Sequence, residues 1–170
     1  VPFPYMRFAK TKLTAFGGLN LGMSGIAALT AADVPPPKDT PYWAPEGEFG
    51  DPDLRTAVAA HAGVGEDRVF VSAGSSLANF LVYLTEARGA HVAVETPVYE
   101  ALSALPRAVS ATVSTFRRDE TRGWRLDPGS LRAAVTSDTR LLVVTDLHNP
   151  TGARLHPDDL ALLVAEAERV

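Results

Sequence analysis

The rhythm of apolar positions changes near residue 51. Residues 1–40 hold no sustained period: Val1-Pro2-Phe3-Pro4-Tyr5 opens as extended, Pro-punctuated sequence, and positions 5–15 fit a short helix. Gly17, Gly18, Gly22 and Gly25 then interrupt the pattern, and Val34 leads into the stiff run Pro35-Pro36-Pro37. Such a segment buries little alone and reads as an arm that packs on another domain or subunit. Downstream, Asp51 and Pro52 mark a helix start, with Asp51 as N-cap and apolar Leu54, Ala57, Val58 and Ala60 following, until Gly63 and Gly65 stop it. Four short apolar runs, 68–72, 91–95, 111–116 and 140–145, read as strands. Helical patterns at 76–88, 99–109, 127–137 and from Pro157 onward alternate with them. Strand-helix alternation with crossovers of this length predicts a three-layer α/β/α fold on a mostly parallel sheet, preceded by an irregular N-terminal arm. The expected division is an arm or small-domain segment at 1–44 and a sheet domain at 45–170.

Composition changes this picture little. The 170 residues are 46% hydrophobic and 21% charged, ordinary for a globular domain with its own core. A net charge of −4 with scattered basic residues argues against a nucleic-acid or membrane-surface partner. Cys is absent, which excludes disulfides and thiolate metal sites. No apolar stretch approaches the roughly 20 residues that span a bilayer, and the start lacks a signal-peptide pattern. The expectation is a cytoplasmic protein. No His, Asp or Glu spacing suggests a metal site.

Candidate chemistry gathers where strands end. His148-Asn149-Pro150-Thr151-Gly152 follows the run 140–145, the usual place for a ligand in an open α/β sheet. Pro150 holds and Gly152 releases the turn, so the Asn149 carboxamide can be aimed at a ligand. Local chemistry fits a bare turn as well. After the run 68–72, Ser72-Ala73-Gly74-Ser75-Ser76 enters a helix. Unpaired backbone N–H groups, two hydroxyls and the positive end of the helix dipole there suit a phosphate, and a plain Ser N-cap is the simpler alternative. After the run 91–95, Pro97-Val98-Tyr99 places an aromatic ring that can stack on a planar ligand or pack on its own helix. His148 beside the turn invites a general-base role, but a neutral histidine packed at the strand end is the simpler reading. Glu95 and Asp146 can pair with Arg side chains or cap helices.

Taken together and in order, these segments resemble class I/II aminotransferases, the fold-type-I enzymes that use pyridoxal phosphate. The resemblance implies a large cofactor-binding domain, present incompletely at 45–170. It implies that Asn149 hydrogen-bonds the ring hydroxyl oxygen of the cofactor, that Tyr99 stacks on the pyridine, and that Gly74, Ser75 and Ser76 cradle the phosphate. Tyr42, in Tyr42-Trp43-Ala44-Pro45-Glu46-Gly47, matches the Tyr that reaches the phosphate of a neighbouring subunit. Spacing to Gly50 leaves Trp43, or neither residue, as alternatives. Leu19-Asn20-Leu21-Gly22-Met23-Ser24-Gly25 is similar to the family's small-domain turn near the substrate carboxylate, which nominates Ser24 and Gly25. A homodimer with shared sites is also implied.

The resemblance requires a Schiff-base Lys, because only a primary amine condenses with the cofactor aldehyde. It also requires an Asp at the pyridine nitrogen and an Arg for the substrate carboxylate, all downstream of the Asn. Lys10, Lys12 and Lys38 are the only lysines and precede the sheet. The helical face at Leu160, Leu163, Val164, Ala167 and Val170 meets no Gly, Asn or Pro stop. The expectation is an N-terminal portion whose Schiff-base Lys lies beyond Val170, inactive alone. Transfer of an amino group from an amino acid to a 2-oxo acid is the implied reaction. Alternatives on the same fold are a C–S lyase, a decarboxylase or a non-catalytic regulatory module, and without the family an unrelated α/β phosphate-binding domain.

Overall fold

The structure is a computed structural model that describes residues 3–13, 15, 17–18, 29–30, 32–34 and 50–170. The chain forms two compact units, residues 1–7 with 76–170 and residues 8–75. The boundary expected at 44/45 falls outside the described residues. Helix α1 (Pro4–Phe8) continues into a π-helical turn at Ala9–Leu13, within the span read as helical.

Among the described residues of 8–75 the longest element is α2 (Pro52–Ala62), and its ends follow from local chemistry. Asp51 Oδ1 accepts from Leu54 N at 2.8 Å, and Gly63, at φ 67, supplies the left-handed stop. A short 3-10 turn at Glu66–Arg68 is fastened back by Arg55, which donates to the Glu66 carbonyl at 2.6 Å and to that of Val69 at 3.3 Å. The run 68–72 is not a strand. Arg68 closes the 3-10 turn, and Val69, although extended at φ −109 and ψ 123, enters no ladder with another described residue. An apolar run signals an extended backbone, but a strand exists only where a neighbour accepts its hydrogen bonds.

Residues 76–170 build the sheet. Following α3 (Ser75–Glu86) come β1 (His91–Thr96), α4 (Glu100–Ala108), β2 (Thr112–Asp119), β3 (Arg125–Leu126), α5 (Pro128–Ala134), β4 (Thr139–Val143) and α6 (Pro157–Glu168). The strand order is β3-β2-β1-β4. β1 is parallel to β2 and β4, and β3 is antiparallel to β2. Alternation across the pleat separates two cores. Val92, Val94, Val113, Leu141 and Val143 pack with Phe80, Tyr83 and Ala87 of α3 and its C-terminal turn, and with Leu105 and Val109 of α4 and its cap. Ala93, Phe116, Leu142 and Val144 pack with Leu131 and Ala134 of α5, Val135 after it, and Leu163 of α6. Two helical layers on opposite faces of a mainly parallel sheet are the three-layer arrangement expected. Burying each of Val92, Val94 and Phe116 contributes about 1.5–3 kcal/mol.

Helix α3 runs back along the sheet. Its C-terminal turn leads into β1, with Gly89 N bonded to the Val109 carbonyl, while Tyr83 donates to the Leu102 carbonyl at 3.2 Å. Burial pushes the Tyr83 phenol up to about 12. The start of α3, including Ser76, is thereby carried toward the carboxyl edge of the strands.

Candidate functional site

Because β1, β2 and β4 are parallel, the segments leaving them emerge at one edge, and the buried groups beneath that edge decide where those segments go. Glu95 continues the inward register of Ala93 and is fully buried, and Arg118 continues that of Phe116. Arg118 Nε donates to Glu95 Oε2 at 2.6 Å, with both side chains at 0% exposure. Arg118 Nη2 reaches the Thr145 carbonyl at 3.1 Å and Nη1 that of Trp124 at 3.4 Å. The other carboxylate oxygen of Glu95 accepts from Thr145 N at 2.6 Å and from Thr145 Oγ1 at 2.8 Å. A buried ion pair survives only when its remaining donors and acceptors are met, as here. The pair ties β1, β2, the turn before β3 and the end of β4 into one block.

His148, 1% exposed, links the two candidate loops. Its Nε2 lies 2.7 Å from the Pro97 carbonyl, which can only accept, so Nε2 carries the proton. Nδ1 lies 2.6 Å from Thr151 Oγ1, and that oxygen accepts from Ala153 N at 3.3 Å. Glu95 Oε1 is 3.9 Å from Nε2. Gly152 N to the His148 carbonyl at 2.7 Å and His148 N to the Ala153 carbonyl at 2.8 Å close the turn. This is the packed, hydrogen-bonded histidine that the simpler reading expects. The Thr96–Pro97, Asp146–Leu147 and Asn149–Pro150 peptides are cis.

On this block stand two of the side chains nominated from sequence, Asn149 and Tyr99. Asn149 donates its backbone N–H to Thr145 Oγ1 at 3.2 Å, and its carboxamide is exposed with no hydrogen bond to another described residue. Tyr99 is the N-cap of α4, half-buried, with its hydroxyl 2.9 Å from the Met6 sulfur. The adjacent Glu100 carboxylate accepts from Tyr5 N at 3.3 Å and Met6 N at 3.1 Å, so the arm at α1 is docked beside Tyr99. The structure brings the loops of Tyr99 and Asn149 together through the His148–Pro97 bond. Ser76 is exposed in the first turn of α3, where helix geometry leaves N–H groups without intrahelical partners. Gly74, at φ 86, and Ser75 precede it, and Ser72 Oγ turns in to the Gly74 carbonyl at 3.1 Å. Tyr42, Trp43, Ser24 and Gly25 lie outside the described residues.

Taken singly, these groups are of the kinds that a flat, phosphorylated ring takes: an aromatic face, an open carboxamide and a helix start. Arg118 was not singled out from sequence. The available signal was Glu95, a carboxylate at an inward position of an apolar strand, which demands a cationic partner. Among the described residues no group of His, Asp or Glu could hold a metal, and no helix is long and apolar enough to cross a membrane.

Comparison with known proteins agrees with the geometry. The profile of the family aminotransferase class I and II matches residues 47–170. Capreomycidine synthase of Streptomyces vinaceus is 36% identical over 127 residues, covering 72% of this chain and 33% of that protein. Aromatic amino acid aminotransferase of Mycolicibacterium smegmatis is 33% identical over 115 residues, covering 66% and 31%. The crystal structure of a PLP-dependent aminotransferase from Streptococcus suis superposes with a TM-score of 0.66 at 28% identity, covering 71% of this chain and 33% of that one. The chain thus spans about a third of the length of the relatives it matches. With most of its residues inside the family profile and a large-domain fold to match, this chain belongs to the class I and II aminotransferases, whose cofactor is pyridoxal phosphate.

Proposed function

We propose that this chain supplies the ring-holding wall of a pyridoxal phosphate-dependent aminotransferase that passes the amino group of an amino acid to a 2-oxo acid. The observation that carries the reading is the His148–Pro97 hydrogen bond, which sets the Asn149 and Tyr99 loops side by side at the carboxyl edge of β4 and β1. Tyr99 offers its ring face, and burial of that contact excludes water from one side of a planar ligand. Asn149 donates from its carboxamide to the ring hydroxyl oxygen, with its backbone held by Thr145. Ser76 and the open N–H groups of α3 receive the phosphate. When bound, the cofactor supplies an aldehyde that condenses with primary amines and a ring that accepts electrons from the substrate α-carbon.

No Lys follows Lys38, so the reading places the Schiff-base Lys outside these 170 residues and leaves this chain inactive alone. On the family resemblance, the proposal extends to a cytoplasmic homodimer.

A second reading keeps the cofactor and changes the reaction to elimination, decarboxylation or a synthase reaction. It is favoured by one observation, the 36% identity to a protein named as a synthase. The test is the full-length gene product with a panel of amino acids, each with and without 2-oxoglutarate. Transamination predicts consumption of the amino acid only with acceptor present, with glutamate formed in equal amount. Consumption without acceptor, releasing ammonia, carbon dioxide or a thiol, would replace transfer with the second reading.

A further inference from the structure

Glu95, Arg118 and His148 are buried at the carboxyl edge of the sheet, under the two loops, whereas Asn149 is exposed. Replacing a buried ion pair with apolar residues of similar volume is often neutral or stabilising, so net stability alone is a weak reason for a full carboxylate and guanidinium here. What the pair does is directional. Glu95 Oε1 accepts a hydrogen bond from the Thr145 hydroxyl, which leaves Thr145 Oγ1 turned to accept the backbone N–H of Asn149. Arg118 fixes the second Glu95 oxygen and the Thr145 carbonyl, so neither end of that relay can rotate. From the other side, the His148 ring spans from Thr151, two residues past Asn149, to Pro97, two residues before Tyr99. The Glu95, Arg118 and His148 side chains are themselves buried, so water poorly replaces a partner lost to one of them, and the loops shift instead.

We propose that Glu95, Arg118 and His148 are positioning residues that set the Asn149 carboxamide against the Tyr99 ring and so fix the fit of the flat cofactor to both. This deepens the functional reading and rests on Tyr99 and Asn149 being the ring contacts. A contact placed about 0.5 Å out of position already loses much of its function, which makes such support as necessary as the contacts.

The test uses the full-length protein with pyridoxal phosphate and four variants, His148→Phe, His148→Gln, Glu95→Gln and Leu131→Ala. Leu131 is fully buried in the core under α5 and serves as a purely structural control. For each, the thermal midpoint without cofactor, the cofactor dissociation constant well below that midpoint, and the long-wavelength absorbance band of the bound cofactor are measured. His148→Phe and Glu95→Gln are expected to weaken cofactor binding about tenfold or more, the scale seen when residues orienting metal ligands are removed, and to move the band. His148→Gln, whose amide N–H₂ can still reach the Pro97 carbonyl, is expected to recover part of both. Leu131→Ala is expected to lower the midpoint and leave binding and band as in the wild type. If the network variants lower the midpoint yet bind with wild-type affinity and spectrum, the residues are structural and the proposal fails alone. If the wild-type protein binds no cofactor, the functional reading fails with it. Should His148→Phe not fold, His148→Gln and Glu95→Gln decide the matter by the same two readouts.

Discussion

Two turns nominated for the same cofactor are built in opposite ways. The turn bearing Asn149 is fastened to Glu95 and Pro97, far back along the chain, through the buried Glu95 and His148 side chains, with the nearby Thr145 as the link to the Asn149 backbone. The turn from Ser72 to Ser76 is held by its own atoms, Ser72 Oγ and Gly74 N closing a local loop, and Ser75 and Ser76 are exposed. The difference follows from what each has to offer. A phosphate site works by leaving N–H groups unpaired at a helix start, so its missing partner is the ligand. A single carboxamide aimed at one ring atom has no such redundancy and needs its backbone fixed from several sides.

The sharpest way to break this contrast is to cut the distant fastening. Glu95→Ala leaves the Arg118 guanidinium buried without its carboxylate and is expected to cost about 3–5 kcal/mol in chemical denaturation. A loss under about 1 kcal/mol would mean that the network is as weak as a surface pair. Thr145→Val removes only the hydroxyl that joins Glu95 to the Asn149 backbone, and a loss of about 1–3 kcal/mol is expected by the same assay.

Glu95 was legible as a buried carboxylate in need of a partner, but nothing in the pattern of apolar positions names Arg118 or Thr145 as its partners, which marks the limit of what was legible. Strands β1, β2 and β4 and their helices were readable because apolar runs of the right length report buried positions whatever their partners. Asn149 and Tyr99 were nominated by their type and place after a strand, and the structure joins their loops through the His148–Pro97 bond. Strand β2 runs on to Asp119, past the expected end at 116, because Arg117, Arg118 and Asp119 look like loop residues until Glu95 neutralises Arg118 from another strand. Strand β3 spans only Arg125–Leu126, too short for any period to show. The run 68–72 failed the other way, since its apolar residues promised a ladder whose partner no local pattern names. Long-range pairing separates these cases, and sequence spacing does not encode it.

Smaller effects sharpen the contrast from the side of the locally held turn. Tyr83 anchors α3, and Tyr83→Phe is expected to cost about 1 kcal/mol through its lost bond to the Leu102 carbonyl. Its phenol is raised from the ordinary 10.0 to about 12 in the fold, so the unfolded chain releases that proton first. The stability it contributes is therefore intact below pH 10 and lost as pH rises toward about 12. Denaturation across that window should show a flatter decline for Tyr83→Phe than for the wild type. Ser76→Ala should change stability by no more than about 0.5 kcal/mol, because the residue is exposed, while weakening cofactor binding. A large stability loss there would show that the turn is a structural cap and not a ligand cradle.

The most direct measurement is a crystal structure of the full-length protein with pyridoxal phosphate bound. The account predicts the ring lying against Tyr99, its hydroxyl oxygen within hydrogen-bond reach of the Asn149 carboxamide, and the phosphate at the start of α3 by Ser76. A cofactor bound elsewhere, with Tyr99 and Asn149 facing away from it, would contradict it.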